Sequence, residues 1–223
     1  MENIQIHADL TRPALVDGAL LPWTPSPEAG VDRRMLERSG NEVAIASTIV
    51  RYRSGSRFAL HAHAFGEEFL VLEGTFSDGD GDYPPGTYVR NPPGSAHAPF
   101  SENGCVIFVK LRQMASDEPE SIRCFPADLV WSADATPGRD IASLYDNGRI
   151  HVSLERLRAG AEIPAGSSPG GREIFVVEGS LALDDAARTH WGAWSWLRHP
   201  GARQPRLISV GDALVWVKRG HLM

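Results

Sequence analysis

Three histidines and a glutamate are spaced so that together they could hold one divalent metal ion. His61 and His63 are separated by a single residue in FALHAHAF, so an extended strand would project both to the same side, about 7 Å apart. Glu67 follows small residues at which the chain can turn, and His97 follows a Pro/Gly-rich stretch typical of turns. Although an isolated His-x-His pair is more often simply solvated or hydrogen-bonded, imidazole and carboxylate groups are common metal ligands. We therefore predict a metal site formed by His61, His63, Glu67 and His97.

The chemistry of such a site depends on the metal and on its coordination number. Three imidazoles and one carboxylate leave one or two positions open on a five- or six-coordinate ion, for water, dioxygen or a substrate. Iron would suit cleavage reactions with dioxygen, and zinc or manganese would suit isomerisation or hydrolysis. If zinc takes all four side chains tetrahedrally, no position is open and the site is structural or regulatory. Glu67 could instead leave the metal and act as a base.

Neighbouring polar and aromatic residues supply further candidates. Glu68 is a rival ligand, but strand alternation points it away from Glu67, to the outer face of the sheet or into a salt bridge. Tyr88, Arg90 and Phe108 are candidates for the wall of a pocket. No separate acid or base is indicated by the spacing.

The elements that must position these residues are predicted to be β-strands. Apolar or alternating runs bounded by Gly, Pro, Asn and Asp are typical of strands, and they occur at 43–52, 69–76, 106–111, 150–157, 174–183 and 213–218. Residues 31–38 give the nearest approach to a helical pattern, but they are expected to run into the first strand. The sequence therefore predicts an all-β protein.

An internal repeat indicates two domains. The segment from Gly55 to Gly74 has a counterpart 105 residues later, where REIFVVEG parallels EEFLVLEG. Trp23 likewise corresponds to Trp131, with an offset of 108. We expect an N-terminal domain over 1–114 and a C-terminal domain over 115–223.

The second copy lacks the metal-ligating side chains. It places Gly166 opposite His61, Ser168 opposite His63, Arg172 opposite Glu67 and Gln204 opposite His97. We predict no metal site there. Arg172 is expected to be solvated, with anion binding as the alternative, and His190 and His199 are expected to be structural or surface residues.

The amino-acid composition narrows the possible functions and locations of the protein. The 223 residues carry 28 acidic and 22 basic side chains, a net charge of −6, and the basic residues are scattered, which argues against direct nucleic-acid binding. We see neither a signal peptide nor a run long enough to span a membrane, so the cytoplasm is the expected location. Cys105 is expected to be a small core residue, and no pairing with Cys124 is indicated.

Taken as whole strings, the ligand segments resemble the cupin superfamily. Its first motif is matched in full and its second is matched except at Ser101, where the pattern has Asn; the matching residues are Gly55, His61, His63, Glu67, Gly74, Gly86, Pro92, Gly94 and His97. The resemblance implies two tandem cupin barrels of the double-stranded β-helix, or jelly-roll, type, with the same four ligands.

Longer strings over about residues 20–113 resemble the cupin domain of ChrR-type anti-sigma factors; they include LPWTPSPEAGV, GEEFLVLEGTFSD and YPPGTYVRNPPGSAHAPFSENGC. In that family the cupin domain binds a divalent metal, commonly zinc, and takes part in sensing oxidative signals. A separate domain with a His-x-x-x-Cys-x-x-Cys zinc motif binds the sigma factor, and that string does not occur here. The resemblance implies one metal ion, zinc first and iron, nickel or manganese as alternatives.

Three functions from different classes remain open. A regulatory or sensory metal-binding bicupin in a transcriptional stress response is expected first, with a regulatory protein partner. A cupin dioxygenase or related metalloenzyme, with a small-molecule ligand in the N-terminal barrel, is the alternative, and a structural or storage role is the third. A homodimer is compatible with each of them. An apolar pocket of several hundred Å³ beside an open metal position would favour the enzyme.

Overall fold

The computed structural model describes residues 3–166, 169–184, 189–201 and 203–222. Because its apolar runs are rich in branched and aromatic residues and are broken by turn-forming residues, the chain forms strands. Over the described ranges there are 25 strands and one short 3-10 helix, Pro126–Asp128. None of the described helical structure is long and apolar enough to span a membrane. The all-β prediction is confirmed.

The strands before the 3-10 helix are β1 (Gln5–Ile6), β2 (Ala14–Asp17), β3 (Thr24–Pro25), β4 (Val31–Ser39), β5 (Ile45–Tyr52), β6 (Ser56–Arg57), β7 (His61–Ala62), β8 (Glu67–Gly74), β9 (Phe76–Asp78), β10 (Gly81–Tyr83), β11 (Tyr88–Asn91), β12 (Ala96–His97), β13 (Phe100–Ser101), β14 (Cys105–Leu111) and β15 (Ile122–Cys124). The strands after it are β16 (Ser132–Ala133), β17 (Arg139–Asp146), β18 (His151–Leu157), β19 (Glu162–Ile163), β20 (Arg172–Glu178), β21 (Leu181–Leu183), β22 (His190–Trp191), β23 (Ser195–His199), β24 (Leu207–Ser209) and β25 (Ala213–Arg219).

The chain divides into two compact units. The first is formed by Leu21–Asp128 together with the first residues up to Ala8, and the second by Asp9–Leu20 together with the chain from Leu129 onward. The boundary expected from the sequence, between residues 114 and 115, falls inside the first unit, because β15 pairs with β11.

The first unit is a jelly roll. Its larger sheet has the strand order β1-β4-β5-β14-β8-β11-β15, with β3 also paired to β4; a second sheet has the order β10-β9-β13-β6, and β12 pairs with β7. The core contains Phe69 and Ile107 from the larger sheet and Phe76 and Tyr83 from the second sheet, all at most 3% exposed. The interior is therefore built from the inward-facing residues of both sheets.

The second unit repeats this architecture. Its larger sheet has the order β16-β17-β18-β25-β20-β23-β2, and its smaller sheet has the order β19-β24-β21-β22. The run β18-β25-β20-β23 corresponds strand by strand to β5-β14-β8-β11, and each unit has its own hydrophobic core. The repeat seen in the sequence is thus a repeat of the fold, and the two-barrel prediction is confirmed.

The entry strands of the two repeats are exchanged. With the offset of 108 residues that relates Trp23 to Trp131, β2 corresponds to β15. Yet β2 pairs with β23 in the second unit, and β15 pairs with β11 in the first. Each larger sheet is therefore completed at its edge by the entry strand of the other repeat.

The predicted strand positions agree with the structure except where glycine interrupts a run. Residues 31–38 belong to a strand, as expected. The single run predicted over 69–76 ends at Gly74, whose φ is 68°, and a new strand starts at Phe76. The run over 174–183 is divided in the same way near Gly179, with φ 77°. A positive φ is incompatible with strand geometry, so both runs become two strands.

Candidate metal centre

Two short paired strands bring the first and third histidines together. His61 on β7 lies directly opposite His97 on β12 in the antiparallel register. The pairing continues past the end of β7, where the amide of His63 donates to the carbonyl of Ser95 at 2.8 Å and the amide of Gly94 donates to the carbonyl of His63 at 2.8 Å. The turn predicted before His97 therefore holds in place both the segment that carries His61 and His63 and the segment that carries His97.

A second turn places Glu67 at the start of β8. Its key residue is Gly66, which has φ 72° and donates its amide to the carbonyl of His63 at 3.3 Å. A Cβ at this position would also collide with Met114. Glycine is required here both for its conformation and for the space it leaves.

The four side chains predicted as ligands converge. One ligand atom from each of His61, His63, Glu67 and His97, hereafter the histidine cluster, lies within 4.8 Å of every other. Glu67 Oε1 is 3.7 Å from His63 Nε2 and 3.5 Å from His97 Nε2. Within the described part of the chain, both of these buried Nε2 atoms lack a hydrogen-bond partner. A buried polar atom without a partner is unfavourable, so this group of three imidazoles and one carboxylate is suited to bind a metal ion.

The hydrogen bonds behind the histidines fix their tautomers. His61 Nδ1 is 2.9 Å from the carbonyl of Ala59, and His97 Nδ1 is 3.0 Å from Asp78 Oδ2. His63 Nδ1 is 3.0 Å from Ser95 Oγ, whose own proton goes to the carbonyl of Pro92. Each partner can only accept, so each Nδ1 carries the proton and each Nε2 presents its lone pair to the centre.

Electrostatics keep the centre ready for a cation. Burial lowers the pKa of His63, outweighing the opposite effect of Glu67, so the ring is neutral, as a ligand must be. Burial alone would raise the pKa of Asp78, but hydrogen bonds from His97, the Asp80 amide and Tyr83 outweigh it and lower that pKa. Asn91 Nδ2 donates to Glu67 Oε1 at 3.2 Å and helps to orient that carboxylate.

The histidine cluster forms part of the wall of a cavity of ≈ 430 Å³. Most of the remaining wall is apolar, and the apolar and aromatic residues include Val31, Val50, Tyr52, Phe58, Phe76, Ile107, Val109 and Leu111. Charged residues of β4, of the turn after it and of neighbouring loops also line the cavity, among them Arg33, Arg38, Glu42 and Arg112. A small organic molecule would fit in this space next to the cluster.

The other candidates of the first half lie on the opposite face of the larger sheet. Glu68 is 2% exposed and accepts hydrogen bonds from Tyr88 Oη at 2.6 Å and from Arg90 Nη1 at 3.4 Å. Its assignment to a salt bridge is therefore correct. The assignment of Tyr88, Arg90 and Phe108 to the pocket is wrong: Arg90 pairs in register with Glu68, and Tyr88 and Phe108 each pair with Leu70, so all three share the face of Glu68.

The second unit repeats the strand arrangement around the histidine cluster but carries different side chains there. Gly166 and Gln204 form a bridge at the position where His61 faces His97, and Ser168 lies outside the described residues. The prediction that Arg172 is solvated is wrong: it is 2% exposed, and its guanidinium donates to the carbonyls of Pro164 and Pro205. The absence of a metal from this half stays a prediction.

Two histidines of the second half, His190 and His199, are predicted to be structural or surface residues, and they lie apart from any comparable cluster in the described chain. His190 is exposed on β22, whereas His199 is half-buried on β23 opposite Arg172. Burial, and then the charge of Arg172, lower the pKa of His199 to about 4. Both observations agree with a structural or surface role.

Sequence reasoning missed the residues that support the ligands. Asp78, Asn91 and Ser95 lie within the strings that resemble cupin motifs, and polar residues beside predicted ligands are the signal that could have identified them. The inward direction of Arg33 and Arg38 carries no such signal, because a β-bulge between Met35 and Glu37 shifts the register of β4.

The cysteines are not part of the site. Both are free thiols; Cys105 is buried in the core of the first unit, as expected. Burial raises the pKa of Cys105 to about 11. Its thiolate is therefore scarce near neutral pH, which makes it poorly reactive.

Comparison with family models matches residues 11–115 to the ChrR cupin-like domain. That match covers the histidine cluster and its supporting residues. No curated protein matches the chain.

Solved structures resemble the whole chain in fold. A proposed dioxygenase from Nostoc punctiforme is 14% identical with a TM-score of 0.74, the match covering 94% of this chain and 82% of that one. The oxalate decarboxylase of Lactobacillus farciminis, solved as a formate complex, is 10% identical with a TM-score of 0.65, covering 94% and 86%. A cupin 2 conserved barrel domain protein from Leptotrichia buccalis is 9% identical with a TM-score of 0.60, covering 97% and 100%. At these identities the likeness establishes the fold alone.

Proposed function

Because the first half of the chain carries a cupin domain resembling that of ChrR, we propose that its histidine cluster binds one divalent metal ion and serves a metal-dependent enzyme acting on a small organic molecule. The observation that carries this proposal is the cavity of ≈ 430 Å³ beside the cluster. A site used only for structure would need no such space next to its metal.

The donor set favours a metal with open coordination positions. Three neutral imidazoles and one carboxylate suit iron or manganese as well as zinc, and the cavity gives an incoming molecule access to the same side. When bound, the metal would supply Lewis acidity, and iron would add redox chemistry with dioxygen. We propose the dioxygenase class first on this basis.

The chain's own residues would bind and orient the substrate. The apolar walls offer few hydrogen-bond partners to water beside the cluster, and polar interactions are stronger where water is scarce. Tyr52 lies in this wall, and burial, followed by the charge of Glu67, raises its pKa well above the usual range. Its hydroxyl therefore keeps its proton, and we assign Tyr52 the role of a hydrogen-bond donor to a substrate oxygen.

A sensory function is the second candidate, and the match to the ChrR cupin-like family favours it. A sensor of this kind would bind zinc through all four side chains and act on a regulatory protein partner. Since burial makes Cys105 poorly reactive, the signal would have to act at the metal rather than at that thiol.

The test begins with metal analysis and continues with turnover. Protein purified without added metal should contain about one divalent ion per chain, and His61→Ala or His97→Ala should lose it. His199→Asn, which removes an imidazole from the other half, is the matched control and should retain it. Two ions per chain would contradict the assignment of a single site.

Metal-free protein reloaded with Fe(II) should then consume dioxygen with a small organic substrate from a panel of diketones and aromatic ketones. Loading with Co(II) reports coordination number through its visible spectrum. A tetrahedral spectrum that no small molecule changes, together with no oxygen consumption, would overturn the enzymatic proposal in favour of the sensory one.

A further inference from the structure

Two arginines of β4 line the same cavity as the histidine cluster. Arg33 and Arg38 both contribute to its wall, on either side of the β-bulge between Met35 and Glu37. We call Arg33 and Arg38 the arginine pair. They are unusual wall residues, because most of the surrounding surface is apolar.

The charge of the arginine pair is incompletely balanced by the protein. Arg33 Nη1 is 3.1 Å from Glu42 Oε2, but the side chain of Glu42 is 58% exposed and that of Arg33 only 15%. The buried Arg33 Nε has no hydrogen-bond partner within the described chain. Exposed ion pairs contribute little, so Glu42 is a weak counter-ion for Arg33.

Arg38 is more deeply buried, and in the described ranges no acidic group forms a hydrogen bond or salt bridge with it. It is 2% exposed, and its guanidinium donates to two backbone carbonyls, those of Gly40 and Asn41. Burial lowers its pKa and the charge of Arg33 lowers it further, and these two effects outweigh the opposite effect of the charge of Glu42. A buried cation with only neutral partners is costly, so an anion entering the cavity would gain from binding here.

The sheet register relates the arginine pair to the metal centre. Arg38 pairs with Ala46, Ala46 with Leu111, and Leu111 with Glu67. Residues in one row of an antiparallel sheet share a face, and three inter-strand steps span roughly 14 Å between the first and last Cα atoms. Arg38 and Glu67 both line the cavity, and a separation on this scale leaves room for a small molecule between their side chains.

The third arginine of the cavity wall is engaged elsewhere. The guanidinium of Arg112 stacks over the ring of Phe65 at 4.7 Å. That contact is a cation–π interaction and leaves Arg112 less available than the arginine pair.

We propose that the arginine pair is a carboxylate-binding subsite, and that the molecule accepted by this cavity is a small organic acid whose other end faces the histidine cluster. The role of this acid as a substrate rests on the proposed function, whereas the subsite itself depends only on the arginines. Guanidinium and carboxylate groups match in geometry and charge.

Calorimetric titration with pentanoate and with its neutral analogue pentanamide tests the subsite, using protein of measured metal content. Pentanoate should bind at least tenfold more tightly than pentanamide. Arg33→Gln should weaken pentanoate binding at least fivefold, and the exposed substitution Glu42→Gln should tighten it, because it removes the competing carboxylate. Arg53→Gln makes the same change at an exposed arginine outside the cavity and should have no effect.

Equal affinity for acid and amide, or an affinity for pentanoate that neither Arg33→Gln nor Glu42→Gln changes, would overturn the proposal. The variant His97→Ala separates it from the proposed function. In that variant the preference for the acid should persist without metal; if it disappears with the metal, the carboxylate binds to the ion and not to the arginine pair. Loss of metal binding or of turnover alone would count only against the proposed function.

Discussion

Each imidazole of the histidine cluster is held from behind by an acceptor, and only one of these acceptors is charged. His61 and His63 donate to neutral oxygens, whereas His97 donates to the carboxylate of Asp78. A charged acceptor makes the ring a stronger ligand and fixes its orientation more firmly. Among the supporting residues, Asp78 is therefore the one whose loss should lower metal affinity most.

We expect Asp78→Asn to lower metal affinity about 10–100-fold, because the acceptor loses its charge while keeping its size. Competition with a chelator of known affinity measures this directly. Asp80→Asn is the matched control, since its carboxylate is 77% exposed, and it should change affinity little. An Asp78→Asn variant with wild-type affinity would show that His97 needs no charged partner.

At the scale of elements, the turn between His63 and Glu67 decides whether the strands present a complete site. Gly66 combines a positive φ with a close approach to Met114, whose own amide donates to the carbonyl of Phe65 at 3.1 Å. Gly55 has nearly the same φ, 75°, but a Cβ there would meet nothing within 4 Å. Comparing a substitution at Gly55 with one at Gly66 therefore separates the cost of backbone strain from the cost of a packing collision.

Gly55→Ala should lower the free energy of unfolding by about 1 kcal/mol through backbone strain alone. Gly66→Ala should cost about 1–3 kcal/mol more, from the collision with Met114, and it should also weaken metal binding. Denaturant unfolding and metal titration of the two variants provide the measurements. Equal losses in both variants, with metal affinity intact, would contradict a packing role for Gly66.

His61, His63 and Glu67 could be predicted from sequence because their geometry is local, whereas His97 lies on the separate strand β12 and is identified by the Pro/Gly-rich stretch before it. A His-x-His spacing on an extended segment, followed by a turn and a carboxylate, needs no knowledge of the rest of the fold. The face occupied by Arg90 could not be predicted in this way, because it depends on its register against Glu68. The inward direction of Arg38 depends on a bulge that no residue pattern marks.

At the scale of the whole molecule, each unit has a corresponding pair of segments that must be held together, and the two units do this by different means. In the second unit the guanidinium of Arg172 bonds the carbonyls of Pro164 and Pro205, from the segments that precede the bridge residue Gly166 and follow Gln204. The equivalent segments of the first unit carry His61 and His97, whose buried Nε2 atom has no partner in the described chain. The first unit would therefore rely on a metal where the second uses an arginine.

Chelation should increase amide hydrogen exchange several-fold in residues 57–67 and 94–101, because the cross-link between those segments is lost. Residues 162–166 and 203–209 of the second unit should be unaffected. Exchange followed by mass spectrometry, with His97→Ala as a mimic of the metal-free state, makes the comparison. An equal increase in amide hydrogen exchange in both halves would contradict the view that only the segments of the first unit are held together by a metal.

The exchange of entry strands sets the order in which the chain can finish folding. β2 is made among the first twenty residues, but its partner β23 is made only near residue 195, and Arg198 bonds the carbonyls of Asp9 and Arg12 from the far end of the chain. During synthesis β2 must remain unpaired while the whole of the first barrel emerges. A gene cut at the midpoint would accordingly yield two fragments that each lack the edge strand of their larger sheet. Mixing the fragments should restore the pairing of β2 with β23 and of β15 with β11.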